Sequence, residues 1–356
     1  MVVDIIETQS EDAIPTSVVL ANEPAWHGQG TVLDTKGKKG LTVEQALPAS
    51  GLDWTVEKVP MFAMMPGKTM PSKPGGTISV NAITHVERRF GVQRMDTGEI
   101  LGSVGETWEP VQNLEGFAIL NDVIAQASSL DDGYKLWIES AGALDNGRKV
   151  WVLARIDRDL QIAGEEYRSY LLFMNGHDGR TSVTAAAVDM RVVCANTLNY
   201  AIYEENGKDK EGIIPRIVRV RHTVKAGERI KEAHAILGMR NRRAEELAKQ
   251  AEWLVEKSMS DGQFDKFLAS LMPIKEDAED TPAATMIEGR RFEVQKLYAQ
   301  APNLESIRGT RWGALQAVVE YADHHRDFRD DETQLKAQWD ITPATIKDRA
   351  YSLLHA

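Results

Sequence analysis

Cysteine is almost missing from this chain. Cys194 is the single one in 356 residues, so no intrachain disulfide can form and no zinc site of several thiolates can be built. No stretch approaches the ~18 consecutive apolar residues of a membrane-spanning helix, which excludes a membrane partner of that kind. The opening MVVDIIETQSEDAIPTS is acidic and lacks the basic, apolar, small-residue order of a secretory leader. Together these absences predict a reducing, cytoplasmic setting. No segment recurs at a constant period, which argues against a solenoid or propeller.

Motifs for common chemistries are missing too. Gly67-Lys68-Thr69 suggests a phosphate loop, but Phe62 occupies the position of its first glycine and Pro71 and Pro74 block the following helix. GSVGET at 102–107 falls short of a dinucleotide fingerprint, with Trp108 to Pro110 where its helix should begin. His85 with Glu87, His177 with Asp178, and Asp323-His324-His325 lack the helical spacing of a zinc site. Ser129, Ser140 and Ser182 have no nucleophile-elbow pattern around them. Cys194 has Arg191 nearby, yet Val192, Val193 and Ala195 give it an apolar setting that suits a structural thiol. We therefore assign no catalytic residue, metal or cofactor.

What is present is a globular composition, 42% hydrophobic and 27% charged. Residues 1–75 read as an irregular lead-in, containing a short helix over 42–47, a short strand in DWTVEKVP, and a Met-, Gly- and Pro-rich loop in MFAMMPGKTMPSKPGG. Residues 76–225 carry strand patterns around one helix over 113–127, with Asp145-Asn146-Gly147 as a hairpin turn and a second helix expected from Cys194 to Tyr200. From 226 to 356 the pattern is helical. RIKEAHAILGMRNRRAEELAKQAEWLVEKSM suits one long helix or two parted at Gly238, an acidic loop lies near 273–284, and Pro343 suits the first turn of a final helix. The fold class expected is α+β: an antiparallel or mixed sheet packed with a helix, followed by a mainly helical C-terminal half.

The charge is uneven. The net value is −11, yet residues 216–243 hold nine Lys and Arg against two Glu, a local excess of +7. Arg216, Arg219, Arg221, Arg240, Arg242 and Arg243 lie in this strip, and Arg219 and Arg221 share one face of a strand, with Val218 and Val220 on the other. Guanidinium rows of this kind suit phosphate contacts that ignore base identity. HVERRFGVQR adds Arg88, Arg89 and Arg94 around Phe90, a ring on which a base could stack. The same cations would equally serve as a solvated face or pair with carboxylates of a neighbouring subunit. Tyr134, Trp137 and Trp151 are more simply packing residues.

MRVVCANTL at 190–198, GLTVEQAL near residue 40, GSVGETWEPVQN and GTRWGALQAVVEYADHH together resemble an uncharacterised phage- and plasmid-associated family, a domain of unknown function found on mobile elements. The resemblance spans about residues 25 to 326. It implies a mobile-element or host-acquired origin and carries no catalytic residue onto this chain. In layout alone the chain is similar to the ring-forming single-strand annealing proteins of phage recombination, which set a strand-rich core and a helix beside a basic groove.

The expectation is a non-enzymatic, homo-oligomeric protein that binds single-stranded nucleic acid in recombination, replication or repair of mobile-element DNA. An oligomeric interaction module is the first rival. A metal-dependent hydrolase or nuclease using carboxylates such as Glu87, Asp96, Glu106 and Glu139 is the second.

Overall fold

The computed structural model describes residues 17–20, 30–32, 40–72, 76–129, 133–198, 217–219, 226–275, 281–340 and 345–356. It is an α+β protein with a sheet-and-helix N-terminal part and a mainly helical C-terminal half.

The central sheet is built on β6 (Leu136–Leu144), β7 (Lys149–Ile162), β8 (Glu165–Gly176) and β9 (Thr184–Arg191), each antiparallel to the next. Two short strands lie beyond β6: β1 (Val18–Val19) pairs with it, and β2 (Thr31–Val32) pairs with β1. At the other edge, β10 (Asn196–Leu198) and β11 (Ile217–Arg219) pair with opposite ends of β9. The β6–β7 turn is the expected one, with Asp145, Asn146 and Gly147 all at positive φ.

β7 and β8 are apolar on both faces because both faces are covered. Val150, Val152, Ala154 and Ile156 pack with α1 (Val43–Ala49), α2 (Asn113–Ser129) and the first half of α3 (Ala226–Glu256). Trp151 and Leu153 face the opposite way, toward Leu335 and Trp339 at α7 (Asp331–Gln338), and Trp151 meets Trp339 edge-on at 4.1 Å. A separate helical core gathers the second half of α3 with α4 (Asp261–Leu271), α5 (Pro282–Gln300), α6 (Arg311–Glu320) and α8 (Ile346–His355). Every residue of α6 after Arg311 is buried, Gln316 and Glu320 included, so the helix is enclosed on all sides.

Several expectations need correction. The strand read in DWTVEKVP runs on through the segment read as a Met-, Gly- and Pro-rich loop to form β3 (Val56–Ser72), paired with β4 (Gly76–Arg94) in a long two-stranded ribbon, which β5 (Ile100–Gly105) extends at its base. Proline is tolerated because β3 is the outer strand and its register breaks between Pro60 and Phe62 and again between Met65 and Lys68. Residues 42–72 are thus ordered elements rather than an irregular lead-in. The helix expected at Cys194 is instead a hairpin into β10. Ala195 turns it at φ 56°, and Asn196 and Thr197 bond to Gln316 and Asp323 rather than capping a helix. The final helix is capped by Thr345, whose side chain accepts from Asp348, while Pro343 lies outside the described residues. α3 runs unbroken through Gly238.

Candidate functional site

Antiparallel pairing brings the start of β7, the end of β8, the start of β9 and β11 to one end of the central sheet. Lys149 opens β7 opposite Gly176, and Arg219 ends β11 opposite Thr184. Arg180 projects from the β8–β9 loop between them. Among the described residues none of these three cations forms an ion pair with a carboxylate. They line a cleft of about 450 Å³ whose apolar lining includes Met174 and Trp339. Lys336 also lines it, but its ammonium is held by Asp145 at 2.5 Å and Glu332 at 2.7 Å.

The loop that presents Arg180 is tightly built. Asp178 Oδ1 accepts from the backbone N–H groups of Arg180 and Thr181, both at 2.8 Å, and Oδ2 accepts from the Thr181 hydroxyl. Burial opposes ionisation of Asp178, but these hydrogen bonds and the Lys149 charge outweigh it and hold the carboxyl below its ordinary range. The loop lies directly on β5. A Cβ on Gly102 would fall 2.8 Å from the Asp178 backbone, and one on Gly179, at φ 75°, would fall 2.6 Å from Val104.

Arg180, Thr181 and Ser182 also line a second cleft of about 550 Å³ that runs on toward Trp108 and Glu109. Lys58 fixes this wall: its ammonium donates to the carbonyls of Glu106 and Trp108 and pairs with Glu109 at 3.0 Å. Beyond it stands the base of the ribbon, where Arg88 meets Glu106 at 3.4 Å and Arg89 is exposed. The two clefts share the 180–182 segment, and neither is lined by Arg88 or Arg89.

A family model described as a domain of unknown function, DUF932, matches residues 100–339. The chain belongs to that family. The DUF932 span holds Lys149, Arg180, Arg219 and Trp108, whereas the long arms of the ribbon, Arg88, Arg89 and α8 lie outside it. Comparison with curated proteins and with solved structures gives no match.

The expected site residues divide into three groups. Arg88, Arg89, Arg219 and Arg242 are on the surface. Arg216 and Arg221 lie outside the described residues. Arg94, Arg240 and Arg243 are buried, and their placement on a solvent track is corrected. Arg94 is paired with Asp96 at 2.6 Å and stacked on Trp54, Arg240 donates to the Arg158 carbonyl, and Arg243 donates to the Leu198 carbonyl. Guanidinium groups buried on carbonyls and rings would lose those contacts in reaching a phosphate. Phe90 is no open stacking platform either, because it packs against the main core under Lys58.

Sequence reasoning missed Lys149 and Arg180. Lys149 follows Arg148 after the β6–β7 turn and Arg180 stands in the β8–β9 loop, and no spacing marks either. Cys194 is half-buried, 3.5 Å from the Arg191 guanidinium; burial raises its pKa and Arg191 opposes this only in part. Among the described residues no three His, Cys, Asp or Glu side chains gather as a metal would require, and Glu87, Asp96, Glu106 and Glu139 do not converge.

Among the described residues no helix is long and apolar enough to cross a membrane.

Proposed function

We propose that this DUF932 protein binds single-stranded nucleic acid, as an accessory to recombination, replication or repair of mobile-element DNA. The observation that carries the reading is the convergence of Lys149, Arg180 and Arg219, none paired with a described carboxylate, at one end of the central sheet. A phosphodiester backbone would meet these three cations against a single carboxylate, Asp340, among the described lining residues, and contacts of this kind do not depend on base identity. Phe62 with His85 on the ribbon (ring centroids 5.4 Å apart) supplies exposed rings for stacking.

Affinity for a labelled oligothymidine should fall steeply with salt. In the variant K149A/R180A/R219A the slope of log affinity against log salt should shrink by about 2, since each lost phosphate contact removes ~0.7. The test is fluorescence anisotropy at several salt concentrations. No binding at low salt, or an unaltered slope in the variant, would refute the reading.

The rival module reading has an observation of its own. Phe62, Met64, Met65 and Ile83 are more than half exposed on the ribbon, and Met64 stands directly across from Ile83. A second copy of the chain is the occupant that homo-oligomerisation would place there. Sedimentation velocity on F62S/M64S should then show dissociation to monomers, whereas a wild-type chain that is already monomeric would dismiss it.

A further inference from the structure

The helical half contains a cavity of about 330 Å³ between α5, the turn Tyr321–His325, the end of α7 and α8. Lys347 lines it, but its ammonium is committed to Asp323 at 2.5 Å. Arg290, Arg326 and Arg349 also line it, all three exposed and none in an ion pair among the described residues. Asp340 is the one carboxylate among the described lining residues. Burial raises the pKa of the Tyr321 phenol, while Arg290 and Arg326 both pull it down against weaker opposition from Asp327 and Glu293. Two guanidiniums from different elements thus act on one phenol oxygen. Met272, Ala322 and Ile346 complete an apolar wall.

We propose that this cavity binds a phosphomonoester carried on a small apolar or aromatic body, the size of a nucleoside monophosphate. Like charges brought together around a concave surface repel one another, and a dianion relieves that repulsion while accepting bidentate bonds from guanidinium forks. The volume lies at the small end of ligand sites, which suits one phosphate and one ring system rather than a polymer. The site is separate from the sheet-end cleft: Arg290, Arg326 and Arg349 belong to α5, the turn and α8, and only Asp340, at the end of α7, lines both cavities.

Isothermal titration of the full chain with AMP, and separately with inorganic phosphate, tests this. AMP should bind, and more tightly than phosphate alone. Removing two guanidiniums in R326A/R349A should weaken it by about 10-fold or more, while K149A/R180A/R219A leaves it unchanged. Absence of AMP binding, equal affinity for phosphate, or indifference to R326A/R349A would each overturn the assignment. Should R326A/R349A lose its helical circular dichroism, Arg290→Ala alone carries the same comparison. Because the sheet-end variant is measured in parallel, failure of this site is distinguishable from failure of the nucleic-acid reading.

Discussion

Replacing Lys347 by methionine should lower the unfolding free energy by about 3–5 kcal/mol, because it leaves a carboxylate buried without its counter-ion. The Lys347 and Asp323 side chains are 4% and 0% exposed, and their charged atoms lie 2.5 Å apart. Asp323 Oδ2 also accepts from the Thr197 N–H at 2.9 Å and its hydroxyl at 2.7 Å, and Lys347 donates to the same hydroxyl at 2.6 Å. Burial depresses the Lys347 pKa, and Asp323, ahead of Asp340 and Asp348, opposes that depression. The three residues tie β10, the turn after α6, and α8 into one unit. Urea denaturation followed by tryptophan fluorescence measures the loss. The double variant D323L/K347M should recover much of it, since no charge is then stranded. A loss below about 1 kcal/mol in K347M would mean that the pair is solvated or easily replaced.

Acid should destabilise the protein through His177. Its ring is buried, with Trp54 packed on it at 5.1 Å, and its backbone N–H donates to the Arg148 carbonyl. Asn113 Oδ1 lies 2.8 Å from Nε2 and accepts from Asn175 as well, so Nε2 is the protonated nitrogen and donates. Nδ1 then carries a buried lone pair with no partner among the described residues. Burial, with a contribution from Arg94 and against Asp178, takes the pKa down from 6.5 to about 4. The native state therefore holds the ring neutral while the unfolded chain protonates it near pH 6.5. Stability from this group is complete above pH 6.5, is lost as pH falls to about 4, and changes no further below that. The loss is ~3 kcal/mol. Denaturation curves at pH 7 and pH 4.5 should show it for the native chain, and His177→Phe should remove most of that difference. An equal pH response in the variant would assign the effect to carboxylates instead.

Much of the fold is legible in the sequence because it follows from local rules. Asn146-Gly147 demanded positive φ, Thr42 with Gln45 marked the start of α1, and the apolar spacing of 113–129 produced α2. β3 was illegible past Pro60, because its prolines read as a breaker until an outer-strand position is known. The hairpin at Cys194 was missed for a related reason, since Asn196 and Thr197 would cap a helix but bond to residues 120 and more positions away.

The candidate site was legible only as composition. An arginine in a basic run has the same one-letter signature whether it faces water, as Arg219 does, or is fully buried on a carbonyl, as Arg243 is. Lys149 and Arg180 gave no signal, because their proximity to Arg219 arises from strand pairing.

By itself the sequence determined the fold class, the thiol chemistry that one cysteine forbids and the uneven spread of charge, since each depends on residue identity or on spacing within one element. Only the tertiary structure decided which cations share a cleft, which are consumed inside the cores, and where the prolines could pair. Those outcomes rest on contacts between segments far apart in the chain, set by sheet register and helix packing.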